Sequence, residues 1–271
     1  MIDGSKMRVA IAGLGAVGKV VARALDEGIP GASLAAVSAR NVGRAHDFMA
    51  GLARPAPVVP IADLAQHTDI VIECAPSELL PDIAGPFLAA GKKVVVLSVG
   101  ALLAHPELEE AAVRGGGEIL VPTGALLGLD AVAAAREGTI HSVRMITRKP
   151  PLGLANAPYL IQHGIDISNL ASPVRVFSGS AREAARGFPA NLNVAVALSL
   201  AGIGPDRTWL EIWADPQVTR NTHRIEVDSD SAAFGMTIEN IPSENPKTGL
   251  ITARSVIALL RKLAAPVKVG T

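Results

Sequence analysis

The first half of the chain alternates short, continuously apolar runs with longer segments whose apolar residues recur at helical spacing. The apolar runs are rich in Val and Ile, and they predict strands at residues 7–12, 34–38, 69–74, 93–98 and 118–121. A run that is apolar throughout is typical of a strand buried on both faces. Helix-length segments separate these runs at residues 16–25, 79–90 and 106–114. The alternation predicts a Rossmann-type α/β domain over residues 1–122, a doubly wound parallel sheet covered by helices.

After Pro122 the pattern changes to alternating apolar and polar residues, which is typical of strands with one buried and one open face. Such runs occur at residues 138–147, 174–177, 209–213, 222–227 and 234–239. Helices are predicted at 180–187, where Ser180 and Glu183 can form a capping box, and at 191–201. We therefore expect a smaller α+β catalytic domain with an open sheet over residues 123–271. Its C-terminal helix, about 246–264 with Asn245 as N-cap, is expected to return toward the first domain.

Composition narrows the possible functions. Of the 271 residues, 49% are hydrophobic, which excludes intrinsic disorder. The 25 basic and 25 acidic residues cancel, and a neutral chain is a poor candidate for binding nucleic acid. Every apolar run is interrupted by Gly, Pro or a charged residue before it reaches about 18 residues, so we expect no membrane span. We also expect no signal peptide, and the single cysteine, Cys74, favours a cytoplasmic protein.

The first chemical signal is the segment GLGAVG, in which Gly13, Gly15, Ala16, Val17 and Gly18 match G-x-G-x-x-G. It follows a predicted strand and opens a predicted helix, the context that the motif requires. The glycines permit a tight turn, close approach of the backbone to a pyrophosphate, and close helix–strand packing. The segment predicts a dinucleotide site, and the alternative is a purely structural turn.

The end of the second strand bears on which dinucleotide is bound. An acidic residue about 20 positions after the loop would bind the ribose of NAD. Ser38, Ala39, Arg40 and Asn41 occupy this segment instead, and Arg40 is suited to a 2′-phosphate. The segment predicts that NADP is accepted. The alternative is that Arg40 is a solvated loop residue near the adenine.

Small residues follow three further strands of the predicted sheet. Cys74 and Ala75 follow the third strand, Ser98–Ala101 follow the fourth, and Thr123–Ala125 follow the fifth. Ligands bind at the carboxyl ends of strands in open α/β sheets, so these residues are candidate contacts for the nicotinamide and its ribose. Ordinary turn chemistry is the alternative. No basic residue lies beside Cys74 in the sequence, so we do not expect a nucleophilic thiolate.

Two of the six histidines lie in predicted strands beside apolar residues. Strand alternation places His223 with Ile225 and Val227, on the protected face of its sheet. The same argument places His141 with Val143 and Met145. Either imidazole could be a hydrogen-bonded structural group or an acid/base group, and the pattern does not choose between these roles.

Two cationic segments are candidate sites for anions. Lys247 and Thr248 lie at the predicted start of the last helix, where the helix dipole also favours an anion. Arg148 and Lys149 end the strand predicted at 138–147, and Arg148 is the preferred candidate there. Solvated surface charge is the alternative for both segments.

The chain resembles the L-aspartate dehydrogenase family over nearly its whole length. The resemblance lies in GLGAVG at 13–18, SVGAL at 98–102, PTGALLGLDA at 122–131, TRKPP at 147–151, FSGSAREAARGFPANLNVAVALSLAGIGPDRT at 177–208, NTH at 221–223 and ENPKT at 244–248. The long central block and the NPKT segment are far more specific than the glycine motif.

The resemblance implies that NAD or NADP is used to oxidise L-aspartate to iminoaspartate, which yields oxaloacetate and ammonia, and that the reverse amination is also catalysed. It implies that His223 is the general acid/base. From general imidazole chemistry we expect His223 to have a pKa near the usual value of about 6.5, which suits proton transfer in both directions. The resemblance also implies cofactor contacts at Ala125 and Asn193, a homodimer and a role in NAD biosynthesis. Two alternatives remain: another dehydrogenase or reductase of this plan, such as a dihydrodipicolinate reductase or homoserine dehydrogenase, and a non-catalytic NAD(P) sensor.

Overall fold

The computed structural model describes residues 6–189, 192–243 and 249–270, and these residues group into two compact units. The first unit consists of the chain up to Pro122 together with Thr252–Val269. The second consists of the described part of Thr123–Ile251.

The first unit is built on five parallel strands in the order β2-β1-β3-β4-β5. Their bounds are β1 Met7–Ala12, β2 Ala32–Ser38, β3 Ile70–Glu73, β4 Lys93–Val96 and β5 Glu118–Leu120. This order confirms the predicted doubly wound sheet. The strand order reverses between β1 and β3, and in such sheets the crevice at this reversal is where ligands bind.

Helices cover both faces of this sheet. They are α1 Ala16–Gly28, α2 Val42–Ala50, α3 Leu64–His67, α4 Leu80–Ala89, α5 Val99–Leu102 and α6 Glu107–Gly115, with 3-10 turns at Ile61–Asp63 and Ser77–Leu79. Successive residues of a strand point to opposite faces, so Val9 joins one apolar core and Ala10 joins the other. The core around Val9 includes residues of α1, and the core around Ala10 includes residues of α4. The continuous apolar runs therefore reflect burial on both faces, as predicted.

The last described helix, α12, spans Leu250–Ala264. Its Ala253, Val256 and Leu260 belong to the same apolar core as Val9 in the first unit. The predicted start of this helix at Asn245 lies outside the described residues. Neither α12, with 15 residues, nor any other described helix is long and apolar enough to cross a membrane.

The second unit contains a mixed sheet in the order β10-β9-β6-β8-β7. The strands are β6 Ile140–Lys149, β7 Val174–Ser180, β8 Thr208–Ala214, β9 Asn221–Ser229 and β10 Ala233–Asn240; only β6 and β8 run parallel. The helices are α7 Leu129–Arg136, α8 Pro151–Leu154, α9 Pro158–Gln162, α10 Ala181–Gly187 and α11 Asn193–Ala201. The capping box between Ser180 and Glu183 is present at the start of α10, as predicted.

The two faces of the second sheet differ in character. One face carries apolar residues such as Met145, Ile212 and Ile225, which are buried against the helices. The other face carries Glu211, which accepts hydrogen bonds from Arg144 at 2.6 Å and from Trp213 at 3.1 Å. Both bonds lower the pKa of Glu211, and the bond from Arg144 has the larger effect. Arg144 and its pairing partner Trp209 are exposed on this face of the chain, as expected for the predicted open sheet.

Candidate active site

The glycine-rich loop joins the ends of three strands in the first unit. Gly13 has a φ of 106°, a conformation that favours glycine, and its N–H donates to the carbonyl of Ser38 at 2.7 Å. The N–H of Cys74 donates to the carbonyl of Ala12 at 2.8 Å. A Cβ on residue 13 would lie 2.5 Å from the carbonyl oxygen of Cys74. The loop therefore packs directly on the chain that leaves β3, at the point where the strand order reverses.

The other two glycines of the motif have different roles. A Cβ on Gly18 would overlap the carbonyl oxygen of Gly13, so Gly18 is required for α1 to pack on the loop. A Cβ on Gly15 would meet no atom within 4 Å, so the space beside Gly15 is open to a ligand. Ala16 and Val17 form the first turn of α1, whose N–H groups have no partner within the helix. Open space at a helix N-terminus suits a pyrophosphate, and the loop fits a dinucleotide.

The segment after β2 carries cations where a carboxylate would select NAD. Arg40 is exposed, two residues beyond the end of β2. Asn41 caps α2 by accepting a hydrogen bond from the N–H of Arg44 at 3.0 Å, which fixes the backbone next to Arg40. Within the described chain, Arg40 forms no ion pair.

A buried carboxylate orders the loop after β4. Glu73 is fully buried at the end of β3, and it accepts hydrogen bonds from the N–H groups of Leu97 at 3.0 Å and Ser98 at 2.8 Å. Burial raises the pKa of Glu73, against the effect of these bonds. Burial also raises the pKa of the adjacent Cys74 thiol, and the charge of Glu73 adds to this effect. Cys74 and Ala75 are thus candidate contacts without a thiolate, and Glu73 is a positioning residue that sequence reasoning missed.

His223 lies on β9, and the side chain is 2% exposed. It shares the protected face with Ile225 and Val227, as strand alternation predicts. Thr147 pairs with it across β6, and its Oγ1 lies 3.1 Å from Nδ1 of His223, within hydrogen-bond distance. This bond uses one ring nitrogen and leaves Nε2 as the nitrogen that can exchange a proton with a ligand.

A buried lysine lies on the same face. Lys149 is 3% exposed and follows Thr147 by two residues on β6, so both side chains point to the protected side. Burial first, and the positive charge of Lys149 second, lower the pKa of His223 from 6.5 to about 3. The expectation of an ordinary pKa for His223 is therefore wrong, and the imidazole is neutral near pH 7.

Arg148, the cation preferred from the sequence, lies on the other face of the sheet. Its guanidinium donates to Asp215 at 3.1 Å and stacks 4.9 Å from the ring of Trp213. The structure therefore places Lys149, and not Arg148, on the same face as His223. Strand alternation could have made this choice, because Lys149 continues the series of buried residues that includes Met145 and Thr147.

His141 does not share the face of Val143 and Met145, so that prediction is wrong. The pairing of β6 with β9 shifts between Ile140 and Ser142. Such a bulge inserts one residue and reverses the alternation on its N-terminal side. His141 is exposed as a result.

The ends of two further elements carry candidate polar groups. Asn240, the last residue of β10, pairs with Asn221 and is 2% exposed. Its Nδ2 donates to the carbonyl of Ala125 at 2.8 Å, which fixes the backbone of a candidate cofactor residue. Asn193 is the first residue of α11. Sequence reasoning missed Asn240, which stands at the end of an ordinary alternating run.

Lys247 and Thr248, the other predicted anchors for a carboxylate, lie outside the described residues.

Two family profiles match the chain. The profile described as "Aspartate dehydrogenase, C-terminal" matches residues 130–263. The profile described as "Homoserine dehydrogenase, NAD binding domain" matches residues 13–122. The boundary between these matches falls close to the boundary between the two compact units.

Full-length relatives carry a consistent name. L-aspartate dehydrogenase 3 of Bordetella bronchiseptica is 62% identical over 272 residues and covers 100% of both chains. L-aspartate dehydrogenase of Bradyrhizobium diazoefficiens is 61% identical over 267 residues, covering 98% of this chain and 95% of its own. Among solved structures, aspartate dehydrogenase from Thermotoga maritima has a similar fold, with a TM-score of 0.73 and 23% identity over 97% of this chain and 99% of its own.

Proposed function

Because the chain belongs to the L-aspartate dehydrogenase family, we propose that it oxidises L-aspartate to iminoaspartate with NAD or NADP. Iminoaspartate then yields oxaloacetate and ammonia, and the enzyme also catalyses the reverse amination. The observation that carries this proposal is the buried His223 beside the buried cation Lys149, on one face of the second sheet. A neutral imidazole next to a cation suits proton transfer on an anionic substrate.

In this proposal the first unit holds the nicotinamide cofactor. Gly13, Gly15 and the first turn of α1, Ala16–Gly18, bind the pyrophosphate, and Arg40 binds the 2′-phosphate of NADP. Cys74, Ala75, Ala125 and Asn193 remain proposed contacts to the rest of the cofactor. When bound there, a nicotinamide would supply hydride transfer at C2 of the substrate in either direction.

His223 moves the protons that hydrolysis of the imine requires. As a neutral base, it takes a proton through Nε2 from the water that attacks the imine carbon. In the amination direction it returns this proton to the hydroxyl that leaves the carbinolamine. The hydrogen bond between Nδ1 and Thr147 holds the ring in one orientation for both steps.

The substrate also adjusts the acid/base group. We propose that Lys149 binds one carboxylate of aspartate, in preference to Arg148, which lies on the other face. A carboxylate beside Lys149 offsets the positive charge that lowers the pKa of His223. Bound substrate therefore raises the pKa of His223 and makes the imidazole a stronger base. Lys247 and Thr248 remain the proposed anchor for the second carboxylate.

We also propose that the protein is a homodimer through the open face of the second sheet. Trp209 on that face is 48% exposed, and the ion pair of Arg144 with Glu211 lies beside it in the sheet. A second copy would cover this tryptophan. Light scattering should give twice the chain mass of 27.9 kDa, and Trp209→Glu should reduce it to a single chain.

The activity is tested with the purified protein, NAD or NADP, and a panel of amino acids, by the absorbance of the reduced nicotinamide. We expect turnover with L-aspartate and little with D-aspartate, L-glutamate or L-homoserine. Turnover of L-homoserine alone would favour the homoserine dehydrogenase alternative. Cofactor binding without turnover of any amino acid would favour the sensor alternative.

A further inference from the structure

Asn240 carries a buried acceptor that the fold does not satisfy. Its Oδ1 is inaccessible to solvent and has no hydrogen-bond partner in the part of the chain that the structure describes. The side-chain Nδ2 already donates to the carbonyl of Ala125 at 2.8 Å. A rotation of the amide by 180° would bring Oδ1 against that carbonyl, so two acceptors would face each other. The orientation is therefore fixed, with Oδ1 as the unmatched atom.

The position of Asn240 places this acceptor close to His223. On β10, Ile238 pairs with His223 and Asn240 pairs with Asn221, so Asn240 is a diagonal neighbour of His223 on the same sheet face. Diagonal neighbours across two strands lie roughly 7–8 Å apart. With backbone positions at this spacing on one sheet face, a single small ligand can reach both side chains.

The backbone of Gly249 packs against the side chain of Asn240. A Cβ on Gly249 would lie 3.1 Å from the Cβ of Asn240 and 3.4 Å from its Oδ1. Residue 249 therefore has little room for a side chain, and the backbone of Gly249 packs directly against Asn240. A buried acceptor held in this way binds a ligand only if the ligand offers an N–H or O–H donor.

Among the groups on L-aspartate, the two carboxylates are acceptors, and only the amino group donates. We propose that Oδ1 of Asn240 binds the amino group of the substrate, and ammonia in the reverse direction, and so selects 2-amino dicarboxylates. This inference rests on the proposed function and adds the residue that recognises nitrogen. Lys149 and Asn240 then have complementary tasks, because the lysine binds a carboxylate and the asparagine binds the ammonium.

The test compares L-aspartate with succinate, a dicarboxylate of the same length without the amino group. In Asn240→Leu, we expect the KM of L-aspartate and that of ammonia to rise roughly 10- to 100-fold, the value of a hydrogen bond to a charged group. The inhibition constant of succinate and the affinity for NAD(P) should stay within about twofold. Thr208→Val is the matched control, because it removes a buried side-chain donor to a backbone carbonyl in the same unit. It should lower the melting temperature without changing the ratio of L-aspartate to succinate affinity.

Asn240→Asp separates the acceptor from the bond to Ala125, and it also serves if the leucine variant does not fold. Aspartate keeps an oxygen for the amino group but cannot donate to Ala125 when ionised. We expect it to retain the preference for L-aspartate over succinate even if the melting temperature falls. Loss of that preference in Asn240→Asp, or equal losses for both ligands in Asn240→Leu, would overturn the inference. A fall confined to NAD(P) affinity would assign the acceptor to the cofactor instead. If the wild-type protein does not turn over L-aspartate, the proposed function fails first, and the inference fails with it.

Discussion

Replacement of Lys149 by Met should raise the pKa of His223. Methionine keeps the length and the apolar stem of lysine but removes the charge, so the buried site stays filled. Lys149 is a diagonal neighbour of His223 across β6 and β9, at roughly 7–8 Å. This spacing joins the backbone positions and sets the order of magnitude: with an effective dielectric constant of about 20, two charges so separated repel by about 2 kcal/mol. The pKa should rise from about 3 but stay below 6.5, because burial is the larger cause and remains in the variant.

The ring protons of histidine report this change directly in an NMR titration. The six histidines give six signals, and the spectrum of His223→Asn identifies the one that belongs to His223. In the wild type this signal should not titrate above pH 4, whereas in Lys149→Met its midpoint should lie at a higher pH. Succinate should move the wild-type midpoint in the same direction, because its carboxylate offsets the lysine charge.

Stability against pH gives an independent measurement. The folded pKa of His223, about 3, lies below the unfolded value of 6.5, so the unfolded chain binds the proton more tightly. The contribution of His223 to stability is therefore complete above pH 6.5 and is lost as the pH falls toward 3. The full difference between the folded and unfolded pKa values corresponds to about 5 kcal/mol of unfolding free energy. This pH-dependent part of the stability should be smaller in Lys149→Met. Identical titration midpoints and identical acid denaturation in the two proteins would refute the proposed coupling.

Four further substitutions test the other parts of the site. His223→Asn should lower kcat by about 10²–10⁴ and leave cofactor affinity unchanged, and a folded variant with most of its kcat would exclude the acid/base role. Gly15→Val should weaken NAD(P) binding without unfolding, because the space beside Gly15 is open, whereas Gly18→Val should lower the melting temperature as well. Calorimetric titration of both variants checks this, and unchanged affinity in folded Gly15→Val would contradict the phosphate loop. Arg40→Ala should raise the KM of NADP more than that of NAD, and equal changes would show that Arg40 does not read the 2′-phosphate.

The fold and the phosphate loop could be predicted from the sequence because each depends on local pattern. The apolar run at Met7–Ala12 and the glycines after it have one simple reading, and the structure has the strand and turn in those places. His223 could likewise be placed on the protected face by alternation alone. These features depend on a period of two or on backbone conformation, which neighbouring residues determine.

The features that could not be predicted depend on contacts between distant segments. The predicted face of His141 was wrong because it depends on a bulge that arises only when β6 pairs with β9. The expected pKa of His223 was wrong because burial and the charge of Lys149 lower it, and both arise only in the folded sheet. Asn240 could not be recognised as a candidate residue from the sequence, because its side chain is oriented by a hydrogen bond to the carbonyl of Ala125, 115 residues away in the chain.

The two faces of strand β6 carry residues with different roles, and this limits which insertions and deletions the strand can accept. Lys149 serves the protected face, while its neighbour Arg148 joins Asp215 on the open face. Insertion or deletion of one residue between Val143 and Thr147 would exchange the two faces, so that a guanidinium entered the core and the lysine left it. A single substitution along this stretch leaves every other residue on its face, whereas a change of length does not. The irregular pairing at Ile140–Ser142 is where an added residue can be absorbed, and length variation among homologues should be confined to that end of the strand.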